Sequence, residues 1–206
     1  MAPRPSTSPR AIARRVAALT ALQYQLRIEL KEVEPLVWRR VLVPENLTLA
    51  KLHATLQGVM GWHGGHLHEF QIGRCRYGRP DEDDDGWSDD GPLIDERRVR
   101  LNTLVEAGAR RFTYLYDFGD GWEHTVKVED MVMPKKEQHR ILCIAGENAC
   151  PPEDVGGPHA YLDFIATIKD PTHEEHSSML RWVGGPFDPT AFYIADVNER
   201  LAEIKT

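Results

Sequence analysis

Two histidines, His66 and His68, stand two residues apart at the start of an alternating apolar and polar stretch that ends near Gly73. The alternation predicts a β-strand, and side chains two apart on a strand point to the same face of the sheet. Two imidazoles on one face are a common donor pair for zinc or another divalent cation. Alternatively, one imidazole packs against Trp62 or Phe70 and hydrogen-bonds to the backbone. The spacing alone leaves both interpretations open.

A second group of polar residues lies at the tip of a predicted β-hairpin spanning residues 111–132. Asp120 and Gly121 form a turn dipeptide, so the Asp120 carboxylate is expected to accept hydrogen bonds from turn amides. Asp117 falls within the strand-like run, where aspartate is disfavoured, and is expected to be solvated, paired or metal-bound. Asp117 and His124 are therefore the first candidates for a pocket.

The same hairpin has a pronounced aromatic pattern. Alternation places Tyr116 and Phe118 on one face, where they are expected to belong to the core, and Asp117 on the opposite face. After the turn, Trp122 and His124 share one face. The hairpin thus combines core-forming rings with polar groups that the core does not require.

The third polar group is the segment from Cys150 to Gly157, CPPEDVGG. Its two prolines hold Glu153 and Asp154 in a stiff segment, and the glycine pair allows close backbone approach or a positive φ. Rigid loops of this kind often carry functional side chains. Equally, Asp154 or a neighbour is a candidate N-cap for the helix that follows.

Two functional hypotheses come directly from these groups. The first is a binding or accessory module that holds a small molecule or peptide in an aromatic pocket lined by histidine and carboxylate side chains. The candidate pocket residues are Trp62, His66, His68, Tyr116, Asp117, Trp122, His124, Glu153 and Asp154. The second is a metal-dependent hydrolase with Glu153 or Asp154 as base. Its candidate ligands for a divalent metal are His66, His68, Asp117 and His124.

An acidic loop, residues 81–90, partly matches a calcium-binding loop at Asp81, Asp83 and Asp85. The twelfth position of such a loop requires a bidentate glutamate, and Pro92 stands there instead. A solvated loop is the expected structure. Its function is left open.

Cys143 and Cys150, together with His139, are candidate zinc ligands. The spacing between the two thiols is C-x6-C, which fits no familiar zinc knuckle. No fourth ligand is evident nearby in the sequence. Buried thiols are the expected outcome.

The composition excludes several classes of protein. The formal net charge is −7 although residues 1–20 carry four arginines and no acid, so the remainder is acidic and a poor partner for nucleic acid. No apolar run approaches the length of a membrane span. Three cysteines are too few for a secreted disulfide framework, and a cytoplasmic location is expected. The oligomeric state is left open.

The elements that must position these residues follow from hydrophobic periodicity. Residues 1–20 are expected to be a disordered or weakly helical lead, and residues 21–206 one domain. Strand patterns come first, and three helices, roughly 159–169, 173–183 and 189–204, form the final third, the last starting at Asp188-Pro189. A short strand is expected at residues 97–101 and coil at 143–158. The predicted class is α+β, with a mainly antiparallel sheet packed against helices.

Several motifs in order resemble the plasmid pRiA4b ORF-3-like family of bacteria and archaea. They are YQLRIELKEVEPLVWRRVLVPENLTLAKLHATLQGVMGW, HLHEF, RFTYLYDFGDGWEH, CIAGENACPPEDVGG, AYLDF and WVGGPFDPTAF, with Asn198 beyond. The resemblance covers residues 22–202 and implies an α+β domain but no established reaction. Because some members are linked to plasmids and insertion elements, it adds a third hypothesis, DNA handling for a mobile element. His159-Ala160 replaces the Trp-Gly often found in relatives.

Overall fold

An eight-stranded sheet forms the body of the protein in the computed structural model, which describes residues 22–80, 91–134 and 140–204. In chain order the strands are β1 (Gln23–Leu30), β2 (Trp38–Pro44), β3 (His68–Ile72), β4 (Cys75–Gly78), β5 (Leu93–Asp95), β6 (Arg111–Tyr116), β7 (Trp122–Val132) and β8 (Leu142–Glu147). Their spatial order is β5-β4-β3-β6-β7-β1-β2-β8. Every neighbouring pair is antiparallel except β4 and β5. The predicted α+β class with a mainly antiparallel sheet is confirmed.

Five helices accompany the sheet in these ranges: α1 (Leu49–Met60), α2 (Leu101–Glu106), α3 (Gly157–Lys169), α4 (His176–Val183) and α5 (Ile194–Ala202). The limits of α1 agree with its capping residues. The Thr48 hydroxyl accepts a hydrogen bond from the amide of Lys51, and Gly61 ends the helix with φ 87°. Helix α1 packs against α5, which in turn packs against β8, whereas α3 and α4 pack against each other.

The two faces of the sheet differ in polarity. On β1, Leu26, Ile28 and Leu30 are fully buried, whereas the alternate side chains are half-buried. On the polar face, Arg40 of β2 forms an ion pair with Glu129 of β7 across the intervening strand β1, with a nitrogen–oxygen distance of 2.6 Å. The period-two alternation that predicted these strands is therefore the alternation between the core and this polar face.

One side chain of helix α5 forms two hydrogen bonds with the edge strand β8. The Asn198 amide accepts a hydrogen bond from the Cys143 backbone nitrogen, at 2.8 Å, and donates one to the Cys143 backbone oxygen, at 3.0 Å. Both backbone groups of Cys143 thus point away from β2, and a side-chain amide satisfies them in place of a further strand.

The strand predicted at residues 97–101 is wrong. Strand β5 ends at Asp95, and residues Glu96–Arg98 form a single 3-10 turn. The cause is local, because the Asp95 carboxylate accepts hydrogen bonds from the backbone and guanidinium nitrogens of Arg97. This pairing starts a turn in place of an extended chain.

The coil predicted for residues 143–158 is wrong in its first part. Strand β8 occupies this segment and pairs with β2 from Trp38 to Leu42, with an irregularity between Arg40 and Val41. The glycine and proline content of the segment correctly predicts coil only for the residues after Glu147. Pairing with an existing strand overrides the weak local preference.

The predicted start of the last helix at Asp188-Pro189 is also wrong, because α5 begins at Ile194. The Asp188 carboxylate instead accepts hydrogen bonds from the amide and the hydroxyl of Thr190. These bonds form a local aspartate turn, a structure that competes with helix capping for the same residue type.

Some predictions concern residues outside the described ones: the N-terminal lead of residues 1–20, the acidic loop 81–90 and His139. The prediction of one domain from residue 21 onward stays a prediction. Within residues 22–80, 91–134 and 140–204, none of the helices combines the length and the apolar character needed to cross a bilayer.

Candidate functional site

Three segments that are distant in sequence meet at the tip of the β6–β7 hairpin. They are the connection from α1 to β3, the hairpin turn, and the loop between β8 and α3. We call their polar residues the tip cluster, which consists of His63, His66, Tyr116, Asp117, Asp120, Glu153 and Asp154. Each of these segments connects strands or helices that hold it in place, as is usual for functional sites.

Asp117 is the residue that organises the hairpin turn. Strand β6 ends one residue before it, and its φ of 54° places it in the left-handed region. One carboxylate oxygen accepts hydrogen bonds from the amides of Gly119 and Asp120, at 3.0 and 3.3 Å. The prediction that Asp117 lies within the strand is therefore wrong, and its carboxylate stabilises the turn instead.

Asp120 connects the hairpin turn to a neighbouring loop. Its carboxylate accepts a hydrogen bond from the Gly156 amide, at 3.1 Å, and so ties the hairpin turn to the loop before α3. The expectation that Asp120 satisfies the turn amides is wrong. Asp117 thus takes the turn-forming task expected of Asp120 while also facing His66, and both aspartates contribute to assembling the tip cluster.

His66 lies between two carboxylates. Its Nε2 atom is 2.9 Å from Oδ1 of Asp154, and its Nδ1 atom is 3.5 Å from Oδ2 of Asp117. The Asp117 side chain is largely buried, that of His66 is partly exposed, and that of Asp154 is mostly exposed. One donor atom from each residue can be chosen so that all three lie within 4.8 Å of one another. This trio is the candidate metal centre.

Glu153 holds the neighbouring loops together. Its Oε1 atom accepts a short hydrogen bond from the Tyr116 hydroxyl, and its Oε2 atom contacts the amide and ring nitrogen of His63, at 2.9 and 2.7 Å. Burial alone would raise the pKa of Glu153, but the hydrogen bonds from Tyr116 and His63 outweigh it and hold the pKa below its ordinary value. These hydrogen bonds therefore hold the Glu153 carboxylate in one position.

The predicted common face of His66 and His68 is wrong. Strand β3 begins at His68, so His66 belongs to the preceding connection and turns towards Asp117. His68 instead contacts the Glu96 carboxylate through Nε2, at 2.8 Å, and stacks on His53 with ring centroids 3.5 Å apart. His68 does not join the candidate metal centre.

His53 and Gln57 are polar members of this neighbouring network that the sequence interpretation missed. Both reach the Tyr114 hydroxyl, at 2.8 and 2.9 Å. Burial, with a smaller contribution from His68, lowers the pKa of His53 to about 3. Their four-residue spacing on a helix, which puts both on one side, was the available signal. Nothing in the sequence pointed to Glu96.

His124 is fully buried and also lies outside the metal centre. Its Nδ1 atom is 3.3 Å from the backbone oxygen of Tyr114, and its Nε2 atom has no hydrogen-bond partner among the described residues. Burial lowers the pKa of His124 to about 4, so the neutral imidazole is the native form. Among the four predicted ligands, only His66 and Asp117 come together.

The aromatic residues near the tip cluster are buried rings that pack on one another. Trp62, Tyr116 and Trp122 are all buried, and the Trp62 ring stacks on that of Tyr116 with centroids 5.1 Å apart. The Trp62 indole nitrogen donates to the Pro151 backbone oxygen, at 3.0 Å. Phe118, expected in the core, is half exposed because the turn begins before it.

The two candidate thiol ligands are free cysteines. Burial raises the pKa of Cys143, and it raises the pKa of Cys150 to about 12. Cys143 donates from its sulfur to the Ala145 backbone oxygen. Both thiols therefore favour the protonated form, which is a poor metal ligand.

The protein has an α+β fold, in which a mainly antiparallel sheet has one buried face and one polar face. Its candidate site is built by loops at the tip of the β6–β7 hairpin. The chain belongs to the plasmid pRiA4b ORF-3-like family, whose model matches residues 22–196. It is 42% identical over 188 residues to the uncharacterized protein y4hQ of Sinorhizobium fredii (strain NBRC 101917 / NGR234), covering 90% of this chain and 94% of that protein.

A solved structure shares the fold. The crystal structure of a protein of unknown function, MM3350 from Methanosarcina mazei Go1, superimposes with a TM-score of 0.78 at 33% sequence identity. The match covers 86% of this chain and 98% of that chain.

Proposed function

We propose that this protein is a binding module whose site is the tip cluster, and that it binds a divalent metal ion through His66, Asp117 and Asp154. The observation that carries the proposal is the convergence of one imidazole and two carboxylates within 4.8 Å of one another. One nitrogen and two oxygen donors suit a divalent transition metal such as zinc or manganese.

The spacing of the two inner donors supports this proposal. The His66 Nδ1 and Asp117 Oδ2 atoms are 3.5 Å apart. Two ligands on a tetrahedral zinc ion are separated by about 3.4 Å, given bond lengths near 2.1 Å. Asp117 is held by the turn amides, and the mostly exposed Asp154 side chain, which contacts the other ring nitrogen of His66, would turn towards Nδ1 to complete the site.

In the proposed site, a ligand would bind at the exposed side of the trio formed by His66, Asp117 and Asp154. Three protein donors leave at least one coordination position for water or for a ligand atom, which is the arrangement of an open metal site. A small molecule or peptide with an anionic or carbonyl oxygen would enter there. The buried rings of Trp62 and Tyr116 would act as a rigid base for the site.

Hydrolysis at the same metal is the second hypothesis, and the geometry favours it less. Both oxygens of Glu153 are engaged by Tyr116 and His63, which suits a positioning residue better than a general base. Asp154 is itself one of the proposed ligands. DNA handling, the third hypothesis, is disfavoured by the net charge of −7.

Metal analysis of protein purified without an affinity tag tests the proposal. We expect one bound equivalent of a divalent transition metal, and calorimetric titration of the stripped protein with Zn²⁺ or Mn²⁺ should show a single site. His66→Ala and Asp154→Asn should each weaken binding by at least about tenfold. Asp196→Asn removes an exposed carboxylate far from the trio in sequence and serves as the control.

The thermal unfolding temperature without metal separates folding from binding. His66→Ala and Asp154→Asn are expected to unfold near the temperature of the unaltered protein, because both side chains are partly or mostly exposed. Full metal affinity in both variants, or no binding by the unaltered protein, would contradict the proposal.

A further inference from the structure

A separate cavity lies between α3 and α4. Its volume is about 310 Å³, which is at the small end of the range for ligand pockets. We call it the α3–α4 cavity. The six residues that give it chemical character are Asp154, Asp163, Phe164, Glu175, Met179 and Trp182.

The charged side chains of this cavity have one sign. Asp154, Asp163 and Glu175 contribute three carboxylates, and no lysine, arginine or histidine is among the described residues that line it. Asp163 and Glu175 lie on exposed positions of the α3 and α4 region, so their charges need no internal partner. A cation entering the cavity would face the carboxylates of Asp163 and Glu175 together with that of Asp154, which also contacts His66, and their electrostatic effects would add.

The rest of the wall is apolar and aromatic. Phe164 is buried, and the Trp182 ring meets it edge to face, with centroids 5.8 Å apart. The Trp182 side chain remains 48% exposed, which is unusual for so large an apolar group. Tryptophan offers the best π-face for a cation, and Met179 adds a polarisable thioether to the same wall.

We propose that the α3–α4 cavity binds a small organic cation, namely a diamine with a short aliphatic chain. The ammonium groups would meet the carboxylates of Asp154, Asp163 and Glu175, and the hydrocarbon body would lie against Trp182 and Met179. An inorganic cation would leave the aromatic wall unused, and an anionic ligand would meet three like charges. This site goes beyond the proposed metal centre, although Asp154 borders both.

Titration with 1,4-diaminobutane tests this proposal, and 1,4-butanediol supplies a probe with the same body and no charge. Calorimetry on metal-stripped protein is expected to show saturable binding of the diamine and none of the diol. Asp163→Asn removes one carboxylate that lies outside the tip cluster and should weaken binding by roughly tenfold. Trp182→Leu should weaken it by several-fold through loss of the π-face.

Glu174→Gln is the matched control, because Glu174 is exposed and adjacent to Glu175 but does not line the cavity. It should leave the affinity for the diamine unchanged apart from a small screened charge effect. Unfolding temperatures of all variants confirm that each one is folded under the titration conditions.

The outcomes distinguish this site from the metal centre. Loss of diamine binding in Asp163→Asn with metal binding retained supports a separate cation cavity. Equal binding of the diamine by Asp163→Asn, Trp182→Leu and the unaltered protein would overturn the proposal, as would equal binding of the diol. His66→Ala should lose the metal and keep the diamine, so failure of one proposal leaves the other testable.

Discussion

A Cβ atom at position 157 would lie 2.4 Å from the backbone oxygen of Asp120. Real Cβ atoms do not approach an oxygen so closely, and Gly157 also has a φ of 85°, which disfavours L side chains. The loop before α3 therefore reaches the hairpin turn only because this residue is glycine. Asp154 is carried on the same loop.

We expect Gly157→Ala to lower the free energy of unfolding by about 3 kcal/mol, because the new methyl group adds a steric clash to the backbone strain. Gly184→Ala is the matched control. Gly184 has a φ of 91°, and a Cβ added there would meet no described atom within 4 Å, so that variant should lose only about 1 kcal/mol. Urea unfolding measures both, and equal losses would show that the contact with Asp120 is unimportant.

Tyr116 and Glu153 should be energetically coupled. Tyr116→Phe and Glu153→Ala are each expected to cost about 1–3 kcal/mol, since each leaves a buried or partly buried polar partner without its hydrogen bond. The double variant should lose less than the sum of the two single losses. A double-mutant cycle from urea unfolding provides the measurement. Full additivity would indicate that the hydrogen bond does not contribute to stability.

His124 should make the protein sensitive to acid. Its folded pKa of about 4 lies below the ordinary value of 6.5, so the unfolded chain binds more protons in this range. Its stabilising contribution is therefore present above about pH 6.5 and is lost as the pH falls towards about 4. For a group this deeply buried, the loss amounts to roughly 3 kcal/mol.

The matching variant is His124→Phe, which keeps a ring in the core and removes the titrating group. We expect its free energy of unfolding to decrease less between about pH 6.5 and pH 4 than that of the unaltered protein. His159→Gln, at an exposed position, should retain the original pH dependence. If His124→Phe and the unaltered protein show the same slope, His124 is not the source of the acid sensitivity.

Asn198 should contribute to stability through its two hydrogen bonds with Cys143. Asn198→Ala is expected to lower the free energy of unfolding by about 2 kcal/mol, because the backbone amide and carbonyl of the buried Cys143 lose their partner. Glu199→Ala removes an exposed neighbour on the same helix and should have little effect. Alanine is the better helix former at both positions, so similar losses in the two variants would show that the hydrogen bonds with Cys143 are not the cause.

Much of the fold was predictable because local signals agreed with tertiary packing. The sequence of α1 carries an apolar stripe, with Asn46 or Thr48 as candidate N-cap and Gly61 as candidate end, and the structure uses Thr48 and Gly61. The alternation in β1 likewise marked a strand with one buried face. Strand β8 was missed because its pairing with β2 is a long-range contact that local composition does not reveal.

The residues of the candidate site could be named from the sequence, but only some of the contacts between them could be predicted. His66, Asp117 and Asp154 were all named from the sequence, yet Asp154 was expected as a base or a cap. Whether Asp117 or Asp120 forms the turn depends on where β6 stops, and both satisfy the same local rule. The partner of His68, Glu96, lies 28 residues away in a turn whose position no sequence pattern indicated.

The amide of Asn198 has a further consequence for association between copies of the chain. Strand β8 is an edge of the sheet, and open backbone groups on an edge strand invite a foreign strand to pair and start aggregation. The Asn198 side chain occupies the outward groups of Cys143, and the opposite edge, β5, offers only three residues. A single asparagine thus discourages intermolecular strand addition at one end of the sheet.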